Sequence, residues 1–99
     1  MKQIQTLIKS KPLFVFMKGT PTAPMCGFSR TVVQLLELYS KDYGYYDVLQ
    51  DDSIRQGIKQ FSNWPTIPQV FKNGEFIGGC DILYNMYENK ELESFLKEK

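Results

Sequence analysis

Leu13-Phe14-Val15-Phe16-Met17 is an unbroken apolar run of strand length, and its reading decides the fold. A strand that is apolar at every position, rather than at alternate ones, is covered on both faces. Helices must therefore flank the sheet that holds it. On its N-terminal side Ile4, Leu7 and Ile8 keep helical spacing, and Pro12 marks the break. On its C-terminal side Lys18-Gly19-Thr20-Pro21-Thr22-Ala23-Pro24 reads as a loop by its glycine and prolines. From Gly27 to about Tyr39 the apolar residues return to helical spacing, and Tyr45-Tyr46-Asp47-Val48-Leu49 reads as a second strand. Asp51, Asp52 and Ser53 offer N-cap chemistry to a helix carrying Ile54, Ile58 and Phe61. After the doubly proline-interrupted Asn63-Trp64-Pro65-Thr66-Ile67-Pro68, an Asn73-Gly74 turn joins the strands Gln69–Lys72 and Glu75–Gly78. Asp81 is expected to cap a helix through Ile82, Leu83, Met86 and Tyr87, and Leu92, Phe95 and Leu96 mark a last one.

The order is thus α-β-α-β-α-β-β-α-α. Two strands joined through a helix form a right-handed parallel unit, and the terminal hairpin adds antiparallel strands to the same sheet. The expected fold is α/β and thioredoxin-like, with a mixed sheet of about four strands flanked by helices. Ninety-nine residues suit a single domain, 1–99. Such a topology puts Cys26 at the end of the first sheet strand, and the ends of parallel strands are where open α/β sheets bind ligands.

Twelve basic against eleven acidic residues leave a net charge of +1, which offers neither a nucleic-acid footprint nor an electrostatic membrane anchor. No run approaches the roughly 20 apolar residues needed to cross a bilayer. Met1-Lys2-Gln3-Ile4 has the character of neither a signal peptide nor an Arg-rich transit peptide. Two cysteines do not make a secreted disulfide framework, so a reducing, intracellular compartment is expected. Histidine is absent, which excludes a Ser-His-Asp or Cys-His pair and any histidine-bearing zinc site. Two cysteines cannot supply a four-thiolate metal site, so soft-metal chemistry needs a second chain or a small-molecule thiol.

Cys26-Gly27-Phe28-Ser29 follows a proline-rich loop and opens a helix, where unpaired N–H groups and the positive dipole end favour a thiolate. Ser29 stands where a Cys-x-x-Cys pair would carry its second sulfur. Lys18 reads either as a solvated charge at a strand end or as a cation that lowers the Cys26 pKa and meets a ligand carboxylate. Pro68, directly before a strand and beside the cysteine, is a candidate for a cis peptide bond that would turn the Ile67 N–H and C=O outward, towards a peptide-like ligand. In Gly78-Gly79-Cys80-Asp81 the glycines permit close backbone approach. Asp81 reads there as a cap or as the start of a carboxylate-binding helix end, and Cys80 reads as a structural thiol or a second redox group. Arg55 and Lys59, four apart, form either a solvated pair or a cationic face beside the proline loop.

Taken together, Lys18-Gly19-Thr20-Pro21, Cys26-Gly27-Phe28-Ser29, Trp64-Pro65-Thr66-Ile67-Pro68-Gln69 and Gly78-Gly79-Cys80-Asp81 resemble the monothiol glutaredoxins with a CGFS site. The resemblance spans essentially the whole chain and looks most like the single-domain, mitochondrial type. It implies glutathione binding, with Lys18, Arg55 and Lys59 at the glycine end, Ile67 along the cysteinyl backbone, and Cys80 and Asp81 at the γ-glutamyl end. It also implies a [2Fe–2S] cluster held by Cys26 and a glutathione thiolate from each of two protomers. The implied role is transfer of that cluster to recipient and assembly proteins of iron–sulfur biogenesis. The implied state is a homodimer when loaded and a monomer otherwise. The implied location is the mitochondrial matrix, with the cytosol or a plastid-like organelle as alternatives. The alternative function is glutathione-dependent thiol–disulfide exchange (deglutathionylation), with Cys26 as catalytic nucleophile.

Overall fold

The computed structural model describes residues 2–97. The apolar run forms β1 (Leu13–Met17), buried at all five positions, in the interior of a four-stranded sheet. Its neighbours are β4 (Gly44–Asp47), parallel, and β5 (Gln69–Lys72), antiparallel; β6 (Glu75–Gly78) completes the order β4-β1-β5-β6. Alternation along β1 sends Leu13, Val15 and Met17 to one face and Phe14 and Phe16 to the other. The first set packs with α2 (Gly27–Glu37), α4 (Cys80–Glu88) and α5 (Leu92–Lys97), through Val32, Leu36, Leu83 and Leu92. The second set packs with α1 (Lys2–Lys9) and α3 (Asp52–Ser62), through Ile4, Ile8, Ile54 and Ile58. Helices cover both faces, as the all-apolar strand requires. Among the described residues no helix is long and apolar enough to cross a membrane.

Four local expectations are corrected. The segment read as a loop after β1 is a small ribbon, in which β2 (Gly19–Thr20) pairs antiparallel with β3 (Ala23–Pro24). Gly19 makes it possible with φ +92°, and its N–H donates to Asp47 Oδ1 at 2.9 Å. The second strand starts at Gly44 and stops at Asp47. There the Asp47 carboxylate accepts from the Leu49 N–H at 3.0 Å and turns Val48–Gln50 into a 3₁₀ turn. Helix α2 ends at Glu37 rather than near Tyr39, where the Tyr39 N–H turns to Leu36 O, three residues back, in a tighter last turn. Finally, Asp81 is not the cap of α4. Gly79 holds that position with no side-chain hydrogen bond, Cys80 begins the helix, and Asp81 lies exposed in its first turn.

Candidate functional site

Cys26 is the N-cap of α2, in extended backbone geometry, and its sulfur accepts from the Ser29 N–H at 3.3 Å. The Ser29 side chain is fully buried. Its oxygen accepts from the Lys18 N–H at 3.1 Å and lies 3.3 Å from the Cys26 sulfur, where the thiol donates to it. Once the thiol ionises, the Ser29 hydroxyl is free to turn its own proton to the sulfur, while the Lys18 N–H keeps the oxygen in place. Partial burial pushes the Cys26 pKa upward, but the Ser29 hydroxyl, the Ser29 and Phe28 backbone N–H groups and the Lys18 charge together hold it below the ordinary thiol value. Cys80 behaves oppositely: burial, then the nearby Asp81 and Cys26 charges, push its thiol up. The two cysteines are both free.

Beside Cys26 lies a cleft of about 600 Å³. Lys18, Phe28 and Lys59 line it together with the proline loop Trp64–Pro68 and the Gly79–Ile82 turn. Two cations and one carboxylate on a mostly apolar wall suit an elongated ligand with charged ends. Gly79 keeps the wall thin, since a Cβ there would stand 3.1 Å from Pro68 O and 3.5 Å from Trp64 Nε1. The Ile67–Pro68 bond is cis. Among the described residues neither the N–H nor the C=O of Ile67 takes a hydrogen bond, which leaves a peptide edge open at the cleft.

The Glutaredoxin family matches residues 13–77, a stretch that runs from β1 through the cysteine and the proline loop to β6. Glutaredoxin-related protein 5, mitochondrial, of Danio rerio is 55% identical over 98 residues, covering 98% of this chain and 63% of that protein. Monothiol glutaredoxin-5, mitochondrial, of Schizosaccharomyces pombe is 51% identical over 98 residues, covering 96% of this chain and 67% of that one. The chain is a monothiol glutaredoxin. It therefore spans a little under two thirds of the Danio rerio relative's length. Among solved structures, a buckwheat glutaredoxin–glutathione complex superposes with a TM-score of 0.84 at 30% identity, covering 98% of this chain and 86% of the other. The thioredoxin-like glutaredoxin fold is thus shared.

In this glutaredoxin the residues singled out in the sequence do not all meet. Lys18, Lys59, Ile67, Cys80 and Asp81 line one cleft. Cys26 stands at its side, tied to Lys18 through Ser29 and sensed electrically by Cys80. Arg55 is not part of the cleft wall: it lies one helical turn before Lys59, farther from the proline loop, half-buried with its Nε unpartnered among the described residues. Sequence reasoning treated Ser29 only as a missing sulfur and overlooked its hydroxyl as a partner of Cys26. It also passed over Phe28, 65% exposed at the mouth of the cleft, because that ring counts simply as one of the helically spaced apolar residues between Gly27 and Tyr39. A serine three residues after an N-cap was the available signal for the first, since that position carries the N–H that a cap accepts.

Proposed function

We propose that this glutaredoxin binds glutathione in the cleft beside Cys26. As a pair of protomers it carries a [2Fe–2S] cluster, which it passes to recipient and assembly proteins of iron–sulfur biogenesis. The observation that carries this reading is the sulfur count at the site. Cys26 is capped against a buried serine rather than a second cysteine, and the chain has two cysteines and no histidine. A cluster of this type takes four thiolates, which one Cys26 and one glutathione from each of two protomers would supply.

The residues present fit glutathione. Lys18 and Lys59, with Arg55 one turn behind, would meet its glycine carboxylate, and the open Ile67 backbone its cysteinyl peptide groups. At the other end the first turn of α4, uncapped by any side chain, offers N–H groups to the γ-glutamyl carboxylate, with Cys80 and Asp81 beside it. When bound, glutathione supplies the second thiol of each protomer's half-site. The protein's own residues, Ser29 and Lys18, lower the Cys26 pKa and keep that sulfur at the cleft. In this reading the unloaded protein is a monomer and the loaded one a homodimer. Residues 1–99 act as one glutaredoxin domain, and the mitochondrial matrix is the proposed location, in line with the names of the two relatives.

The lowered Cys26 pKa also favours a second reading, glutathione-dependent thiol–disulfide exchange. In it the Cys26 thiolate would attack the glutathione sulfur of a mixed disulfide, forming a Cys26–glutathione disulfide and releasing the target's thiolate. Anaerobic reconstitution with iron, sulfide and glutathione, followed by visible absorption and sizing, separates the two. A coloured dimer that bleaches in Cys26→Ser or without glutathione supports the carrier. A colourless monomer that reduces a glutathione mixed disulfide briskly overturns it.

A further inference from the structure

We propose that Gln69 is a positioning residue for the ligand-facing loop: its buried side-chain amide, and not the prolines alone, presents the Thr66–Ile67 backbone to the cleft. The proposal rests on the reading of that cleft as a glutathione site.

Pro65 and Pro68 have no N–H, so the loop between α3 and β5 is deprived of two of its backbone donors. Among the described residues no backbone–backbone hydrogen bond involves residues 65 to 68, and the loop's backbone ties, Asn63 N–H to Gln60 O at 3.3 Å and Trp64 N–H to Lys59 O at 3.1 Å, both lie at its helix end. Gln69 takes over. It opens β5, where it pairs with Phe16 of the fully buried β1, and its own side chain is fully buried. From that fixed base Nε2 donates to Trp64 O at 3.0 Å and to Thr66 O at 3.1 Å. Two carbonyls two residues apart are drawn inward by one amide group. The intervening loop is thereby bent, and the unpaired N–H and C=O of Ile67 remain for the cleft.

The side-chain chemistry is specific. A neutral amide is the side chain that brings two donors on one nitrogen into a buried site without a charge. Gln69 Oε1 has no hydrogen-bond partner among the described residues, so the amide is oriented by what its nitrogen does. A carboxylate in its place would point acceptors at two carbonyl oxygens, and an aliphatic chain would leave both unsatisfied. The Trp64 ring, 5.5 Å from Phe76, holds the other end of the loop by packing, which a change at Gln69 leaves in place.

The test is a titration of the reduced protein with glutathione, followed by NMR shifts, for the wild type, Gln69→Leu and Gln69→Glu. The pH dependence of Cys26 alkylation is followed in parallel. Expected is binding about tenfold weaker in both variants, with the Cys26 alkylation curve unmoved. In Gln69→Glu, part of the loss should be recovered as pH falls and the carboxyl gains an O–H donor, after the wild type's own pH dependence is subtracted. Wild-type binding with unchanged variants overturns the positioning role and leaves the glutathione site standing. A wild type that does not bind glutathione overturns both. Should neither variant fold, the wild-type Gln69 side-chain amide decides: two protons slow to exchange support the role, and two fast-exchanging protons overturn it.

Discussion

Ser29 carries more of the site than its place in the sequence suggests. With its hydroxyl between the Lys18 N–H and the Cys26 sulfur, it opposes the upward pull of burial on the thiol. Ser29→Ala removes that hydroxyl and keeps the backbone N–H bonds, so the Cys26 pKa should rise. The midpoint of iodoacetamide alkylation against pH should move up accordingly, and an unmoved midpoint would contradict this account of the thiolate. The sign carries over to stability. A thiol whose folded pKa lies below its unfolded one adds stability above the unfolded value, and that contribution is lost as pH falls through the folded one. Cys80, pushed the other way, stays protonated at pH values where Cys26 is a thiolate. Glutathione disulfide at neutral pH should therefore modify Cys26 ahead of Cys80, as intact-mass and peptide-level mass spectrometry would show; first modification at Cys80 would reverse the assignment.

At the scale of elements, the ribbon β2–β3 delivers Cys26 to the start of α2. Gly19 is its hinge: φ is +92°, and a Cβ there would come within 2.5 Å of Ala23 O and 2.7 Å of the Met25 nitrogen. Gly19→Ala should cost about 1–3 kcal/mol in urea unfolding, and it should also displace the Cys26 alkylation midpoint, because Met25 N–H to Lys18 O is the bond that closes the ribbon. An equally stable variant with an unchanged midpoint would show that the ribbon is dispensable. This ribbon was not legible in the sequence, where glycine and two prolines over seven residues signal a turn but not a two-residue pairing. The end of β4 was hidden for a related reason. Tyr45 to Leu49 has strand composition throughout, and only the carboxylate of Asp47 folding onto Leu49 N–H ends the strand. By contrast β1, the Asn73-Gly74 hairpin and the helices bearing Ile54 and Leu83 were legible, since burial on one or both faces writes itself directly into apolar spacing. Within the cleft, Lys18, Ile67, Cys80 and Asp81 come together because each sits at or next to an element boundary, and Lys59 joins them from the last turn of α3. Arg55 was grouped with Lys59 by helical spacing alone, which gives a shared face but not a shared distance from the loop.

Across the whole molecule, two apolar layers clamp one sheet, and Phe71 of β5 links sheet to helix on the α1/α3 side. Its ring lies 5.7 Å from Phe16, 6.2 Å from Phe61 and 5.5 Å from Phe76. Phe71→Ala should cost about 3–5 kcal/mol, a large share of the roughly 5–15 kcal/mol that holds a domain of this kind together, and thermal unfolding measures it. A loss below about 1 kcal/mol would contradict the packing described. In the proposed reading one protomer would bring Cys26 and one bound glutathione to the site, which is half of what a bridged cluster requires. Native mass spectrometry of the anaerobically reconstituted protein tests that claim most directly. The account predicts a complex of two chains, two glutathione molecules and one [2Fe–2S] cluster, absent from Cys26→Ser. A cluster held by one chain, or by two chains without glutathione, would contradict it.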